Sequence, residues 1–511
     1  MTRQLRTAFA ATLALGAISL HAQTATPPNP DEPSSIHYKG VKITPVAFFA
    51  LEDVFRTRSV SSDINTPFNS TPFPGANEEH VSEFNFSARQ SRLGVLFEGQ
   101  AKGFKLSGYF EGDFLGAAVT SNTNQSNSFV LRQRQFWGKA ETEGGFAVTG
   151  GQMWSLVTED GKSSDVRTEK PPATIDAQYN VGFSWTRQPG LRFQQRFGNG
   201  LTAALSLEEA QIVNYTAVAA PTNFFFDTTS GSAPNGGLYN AFNGTPTNNI
   251  APDVIVKFAY DAPHVHAELG GLARFYRERY YPFVINPTTG AATPPTSAST
   301  ATNLTVVGGG GFGSVRVSPA KFVDLALQLM GGDGVGRYGT SQLADITVHP
   351  DGRIEPVRNY HGMLSIETHP APKLDIFAYY GGEYAQRTSY LNFPGSAAAS
   401  TFTGYGTLNA NDTGCETEVP VTTAGTGGLT TPAGTCNAPS RYIYEPTVGW
   451  TYRIVSDPKY GRLQYQVQYS YLERTAWTGV TSGTYGSATA TFGAPKANNN
   501  MIFTSLRYYI P

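Results

Sequence analysis

The stretch FKLSGYFEGDF, residues 104–114, decides how this chain folds. Successive side chains of a strand point to opposite faces. Phe104, Leu106, Phe110 and Phe114 therefore share one face, and Lys105, Ser107, Tyr109, Glu111 and Asp113 share the other. Two further runs repeat the pattern. In HVHAELGGLARFY, residues 264–276, Val265, Ala267, Leu269, Ala273 and Phe275 oppose His266, Glu268, Arg274 and Tyr276. In GRLQYQVQYSY, residues 461–471, Leu463, Tyr465, Val467, Tyr469 and Tyr471 oppose Arg462, Gln464, Gln466, Gln468 and Ser470. Each run is long enough to cross a bilayer as a tilted strand, which takes about 9 to 11 residues.

Alternation alone also suits a soluble sandwich with one wet face. The connections separate the two. Sixteen alternating segments are joined in turn by short links, such as EGQAKG, ETEG, GNG, DAPH, SPAK, HPAPK and SDPKYG, and by long polar stretches, the longest joining residues 387 and 441. A sandwich has no reason to lengthen every second connection, whereas an outer-membrane barrel does. The expected fold is all-β: a 16-stranded antiparallel transmembrane β-barrel spanning 41–511, with short periplasmic turns, long extracellular loops and both termini in the periplasm. Barrels of about 16 strands leave an aqueous channel, while about 8 strands are filled by side chains.

Residues 1–22 read as a secretory signal peptide, with Arg3 and Arg6 ahead of the apolar run from Ala8 to Leu20. A Pro-rich periplasmic linker, 23–40, follows. Beyond it no window of about 18 apolar residues occurs, which excludes a helical membrane protein. The 54 Gly, 26 Tyr and 32 Phe, with only 15% charged residues, suit a barrel with aromatic girdles. Formal charge is −2, and about −4 once Arg3 and Arg6 are removed, so nucleic acid is not an expected partner. Cys415 and Cys436, the only cysteines, are expected to form one disulfide in the long extracellular loop 388–440.

With the apolar face towards lipid, the lumen set comprises Lys105, Arg132, Arg134, Arg192, Arg196, Lys257, Arg274, Arg316, Arg453, Arg462 and Arg507, against Glu111, Asp113, Glu208, Glu268, Asp324, Glu367 and Asp375. That balance predicts a cationic wall, and rings of Arg and Lys select anions. In LRQRQFWGK the two faces are poorly distinguished, and Arg132 and Arg134 are turned inward because charge facing lipid costs roughly 2 to 4 kcal/mol at midplane. Other chemistry is weakly signalled. His264 and His266 lack a carboxylate pair at metal spacing, GGGGFG at 308–313 has no following Lys-Ser/Thr, and no G-x-S-x-G elbow occurs. No metal and no cofactor is expected.

The order SARQSRLGV at 87–95, YFEGDFLG at 109–116, LRQRQFWG at 131–138 and GGQMWSL at 150–156 resembles the DcaP-like trimeric porins of the Gram-negative outer membrane. The resemblance implies a homotrimer, passage of small and often dicarboxylic anions, and an inward-folded third loop, here 155–189. It puts forward Arg92, Arg132 and Arg134 as pore residues, with Glu159, Asp160, Lys162, Asp165, Arg167 and Asp176 as constriction candidates. The expectation is a porin passing small hydrophilic solutes with a preference for anions or carboxylates, and not an enzyme. A barrel hydrolase with a site at the loop rim, and a loop-based adhesin or receptor, are the competing classes.

Overall fold

The computed structural model describes residues 36–117, 121–123, 125–213, 223–225, 249–393, 401–418 and 436–511. The signal-peptide reading and most of the linker lie outside the described residues. Sixteen wall strands follow in chain order: β1 Val41–Arg56, β2 Arg92–Ala101, β3 Phe104–Gly116, β4 Val130–Thr142, β5 Phe146–Trp154, β6 Arg187–Arg196, β7 Leu201–Glu208, β8 Asp253–Ala262, β9 Val265–Tyr280, β10 Thr302–Ala320, β11 Val323–Asp333, β12 Arg358–Ala371, β13 Leu374–Ala385, β14 Ser440–Asp457, β15 Gly461–Ala476 and β16 Lys496–Tyr509. Each pairs antiparallel with the next. The last returns to the first, from Phe48 opposite Tyr509 to Arg56 opposite Met501, so the wall closes on itself. Closure is what a spanning sheet requires, since lipid offers no partner for an open edge.

Turn chemistry sets the register at the short-link end. Lys102 and Gly103 both take positive φ, +50° and +82°, the left-handed pair that a tight β-hairpin needs. The chain leaves the wall between residues 87 and 92. Glu83–Ser87 pairs with the far half of β1 and β2 with its near half, while residues 88–91 turn out of the ladder. There the Ala50 amide donates instead to Ser91 Oγ at 3.0 Å. At the near end, Ile36–Tyr38 adds a short strand to the start of β1, so part of the expected linker is ordered.

The outer face is apolar. Leu269, Phe136, Tyr380 and Val448 are more than half exposed, and Phe104, Phe146, Phe197, Phe322 and Tyr460 form an aromatic girdle beside the short turns. The inner face departs from a uniformly polar wall. Towards the long-loop end, Val54, Leu115, Ile443, Leu472, Met501 and Phe503 point inward and pack on Ile64 and Phe68, Ile175 and Val181, Leu343 and Ala344, and Tyr405 from four loops. The loops thus bury a hydrophobic core inside the barrel, which the assignment of apolar residues to lipid did not foresee. The glycine run of β10 permits close approach within the wall: a side chain at Gly308 would strike the Tyr276 ring, and one at Gly310 the backbone of β11.

Candidate functional site

The inward face is organised around residues 155–186, which leave β5, cross the lumen and return to β6. Their route can be followed from strand to strand. The Leu156 amide donates to Glu208 on β7 at 2.8 Å. Lys257 on β8 donates to Thr158 O and Asp160 at 2.8 and 2.7 Å, and the Asp160 amide donates to Glu268 on β9. Arg316 on β10 holds Glu159 at 2.8 Å, and Lys170 reaches Glu367 on β12 at 2.9 Å. The amides of Ala173, Ile175, Val181 and Gly182 then donate to Tyr379, Gln468, Glu445 and Glu383 at 2.7 to 2.9 Å. Buried backbone N–H groups require partners, and strand carboxylates supply several of them. Gly381 makes room for the crossing, because any side chain there would run into the Val181 carbonyl.

The charged residues singled out in sequence fall into three groups. The first is a cluster at one side of the crossing. Arg134, 1% exposed, donates to Glu111 at 2.7 Å, Asp113 at 2.8 Å and Gln178 at 2.9 Å. Arg132 grips Asp113 with two bonds at 2.9 and 2.8 Å, and Arg92 stands 3.6 Å from Glu111. Arg167, in left-handed conformation, lies over the Tyr109 ring at 4.8 Å. A bulge in β4 explains why LRQRQFWGK reads ambiguously: Gln135 opposes Glu111 and Gln133 opposes Gly112, so Arg134 is an extra residue. It lets Arg132 and Arg134 share the inside with Gln135 and Trp137 while Phe136 faces out.

The second group is buried against the loops. Arg192 donates to the Trp154 and Ser164 carbonyls. Arg274 is held by Asp253 at 3.1 Å and Asp345 at 2.9 Å and donates to Gly334 O, which ties loop 334–357 to the wall. The third lies near the short turns, where Lys105 is exposed and Arg196 pairs with Glu141. Lys162 is exposed, Asp165 accepts from Lys139, and Asp176 accepts from Asn65 at 2.7 Å. Cys415 and Cys436 are joined in a disulfide. His266 sits between Asp261 and Glu268 at 2.8 and 3.1 Å.

Several inward residues were missed from sequence, although strand parity would have found them. Glu52, Glu141, Asp253, Glu383 and Glu445 are buried on the inside. With them counted, the wall is a set of ion pairs and capped carboxylates, and the cationic excess reckoned from sequence does not extend around it. Arg187, Trp185 and Arg337 were also missed, because their placement depends on loops folding back.

Carboxylates of the crossing titrate above their usual range, Asp160, Glu169 and Asp176 among them. Lys257 stands 2.7 Å from both Asp160 and Glu268, so one cation serves two acids. Burial, with the Glu268 charge added, pushes Asp160 up to about 6 against the pull of Lys257. Burial likewise pushes Asp176 up to about 6, opposed by Arg134 and Arg507.

A closed sixteen-stranded antiparallel barrel with an apolar belt, short turns at one end, long loops at the other and a segment folded across its lumen has the architecture of a porin barrel of the Gram-negative outer membrane. No protein-family model and no curated protein matches the sequence. Among solved structures, the chain is similar to the outer membrane channel DcaP of Acinetobacter baumannii, with a TM-score of 0.58 and 14% identity over 93% of this chain and 99% of that one. It is less similar to the anion-selective porin of Comamonas acidovorans, with a TM-score of 0.43 and 11% identity over 92% and 100% of the two chains.

Proposed function

We propose that this chain is a porin that lets small hydrophilic solutes diffuse passively across the outer membrane, with a preference for anions or carboxylates and no chemical step. The observation that carries the reading is the inward segment itself. A loop pinned by hydrogen bonds to wall strands all around the barrel, from β4 to β15, is a fixed constriction, and a fixed constriction sets which solutes pass. The preference for anions rests on guanidiniums that have no carboxylate partner among the described residues, chiefly Arg187 and Arg462. The mature protein of this reading has lost residues 1–22 and assembles as a homotrimer, as the resemblance to the DcaP-like porins implies.

Liposome swelling tests it. Vesicles carrying the purified barrel should swell faster in small carboxylates than in neutral sugars of similar size. Swelling no faster than in protein-free vesicles would refute the porin reading, and equal rates for both solutes would refute the preference.

A further inference from the structure

We propose that a cavity at the seam between β4 and β6 is a seat for one small oxyanion, a carboxylate or phosphate group. The β4–β5 ladder ends at Phe136 opposite Gln152. Beyond it β5 turns inward and pairs only with β6, up to Trp154 opposite Arg187. Residues 130–135 of β4 are thereby left with no strand partner on that side among the described residues, and the Gln152 side chain donates to the Arg134 carbonyl at 3.1 Å in its place. A cavity of about 200 Å³ fills the gap, and Arg132, Arg187 and Arg337 all line it.

The three guanidiniums are in different states. Arg132 is satisfied by Asp113. Arg187 has no carboxylate partner among the described residues, and its Nε and Nη1 are sealed from solvent without a hydrogen bond. Its guanidinium lies 5.2 and 5.6 Å from the Trp154 and Trp185 rings, which shield its faces and leave its donor edges free. Arg337 donates through Nη2 to Gln188 at 2.6 Å, and its Nη1, 4.0 Å from Asp253, is also without a bond.

Glu111 and Asp113 are both taken by Arg132 and Arg134. The charge of Arg187 is therefore uncompensated in a site where a lone buried charge is costly. An oxyanion would supply that counter-charge and accept from the unbonded nitrogens of two arginines, the forked geometry at which guanidinium recognises carboxylate and phosphate. The volume admits a small anion and excludes a nucleotide. Beyond passive diffusion, this gives the wall a saturable site. It rests on the porin reading for the anion's way in, through the lumen, and shares Arg187 with the anion preference.

The flanking tryptophans report on occupancy. Barrel refolded in lipid-free detergent should show a saturable change in tryptophan fluorescence on titration with inorganic phosphate or acetate. Affinity should fall at least tenfold in Arg337→Gln, a loop variant, and in Arg187→Gln, each first shown to be folded by its heat-modifiable migration on gels. No saturable change, or unchanged affinity in both variants, would overturn the seat. Protein extracted from membranes identifies the source. If it carries stoichiometric lipid phosphorus and ignores added phosphate while refolded protein responds, a lipid headgroup is the occupant; if it responds, a free solute is. Ion current measured on the same sample keeps the two readings apart: current without a fluorescence response sinks only the seat, and a response without current sinks only the porin.

Discussion

Replacing Arg134 with leucine removes the guanidinium that neutralises Glu111 and Asp113 and anchors the inward segment at Gln178. Breaking a buried ion pair by deleting one partner costs about 3 to 5 kcal/mol. The lower end applies here, because Asp113 keeps both bonds from Arg132 and Glu111 keeps the Tyr109 hydroxyl at 2.9 Å and Arg92 at 3.6 Å. The substitution also takes one positive charge from the lumen. Because Arg134 is sealed from the passing ion, a separation of about 8 Å in water-like surroundings applies, at which that charge is worth about 0.5 kcal/mol, or about twofold in the permeability ratio. The midpoint of denaturant unfolding should fall, and the reversal potential in a KCl gradient should move towards cations. Adding Glu111→Leu should recover part of the stability, since it removes the carboxylate that Arg134 neutralised but leaves Arg92 without its partner. A folded Arg134→Leu barrel with midpoint and reversal potential both unchanged would refute the reasoning.

Acidification should act through Asp160 and Asp176, which titrate at about 6 in the folded barrel. Between pH 8 and pH 5 both take up protons, so the lumen grows more positive and the anion-to-cation permeability ratio should rise; a fall would contradict the placement of these groups. Because their folded values are raised, their stabilising contribution is complete below the ordinary carboxylate value and is lost as pH rises through about 6. Unfolding midpoints should therefore be no lower at pH 5 than at pH 8. Gly381→Ala should push the Val181 carbonyl off the wall and loosen the crossing, raising conductance and current noise, and an unaltered trace would remove that contact from the account. Replacing Cys415 and Cys436 with serine opens a loop of 21-residue separation, worth about 3 kcal/mol in the unfolded-chain estimate. Proteolysis of that loop should quicken while conductance stays the same.

The wall was legible because a strand that separates lipid from polar interior must alternate, and a barrel crossing a membrane must alternate its loops as well. Phe104–Gly116 shows this at its clearest, with its apolar and charged faces as read. The reading blurred where alternation fails locally, at the β4 bulge that adds Arg134 and at residues 88–91, where Ser91 substitutes for a ladder bond. The interior was much less legible. Whether a charge on the inner face lines open space or is sealed depends on which loop folds over it, and no periodicity records that. Arg274 looks from sequence like any lumen arginine, yet Asp345, brought in by a loop 71 positions further on, closes it off. Glu383 and Glu445 were not read as inward residues at all, and they act as acceptors for the amides of Gly182 and Val181.

Single-channel recording in planar bilayers tests the central claim most directly. The purified barrel should insert to give stable, stepwise currents, and in a KCl gradient the reversal potential should carry the sign of a chloride preference at neutral pH. Silent bilayers with folded protein would contradict the porin, and a potassium preference would contradict the role given to its unpaired arginines.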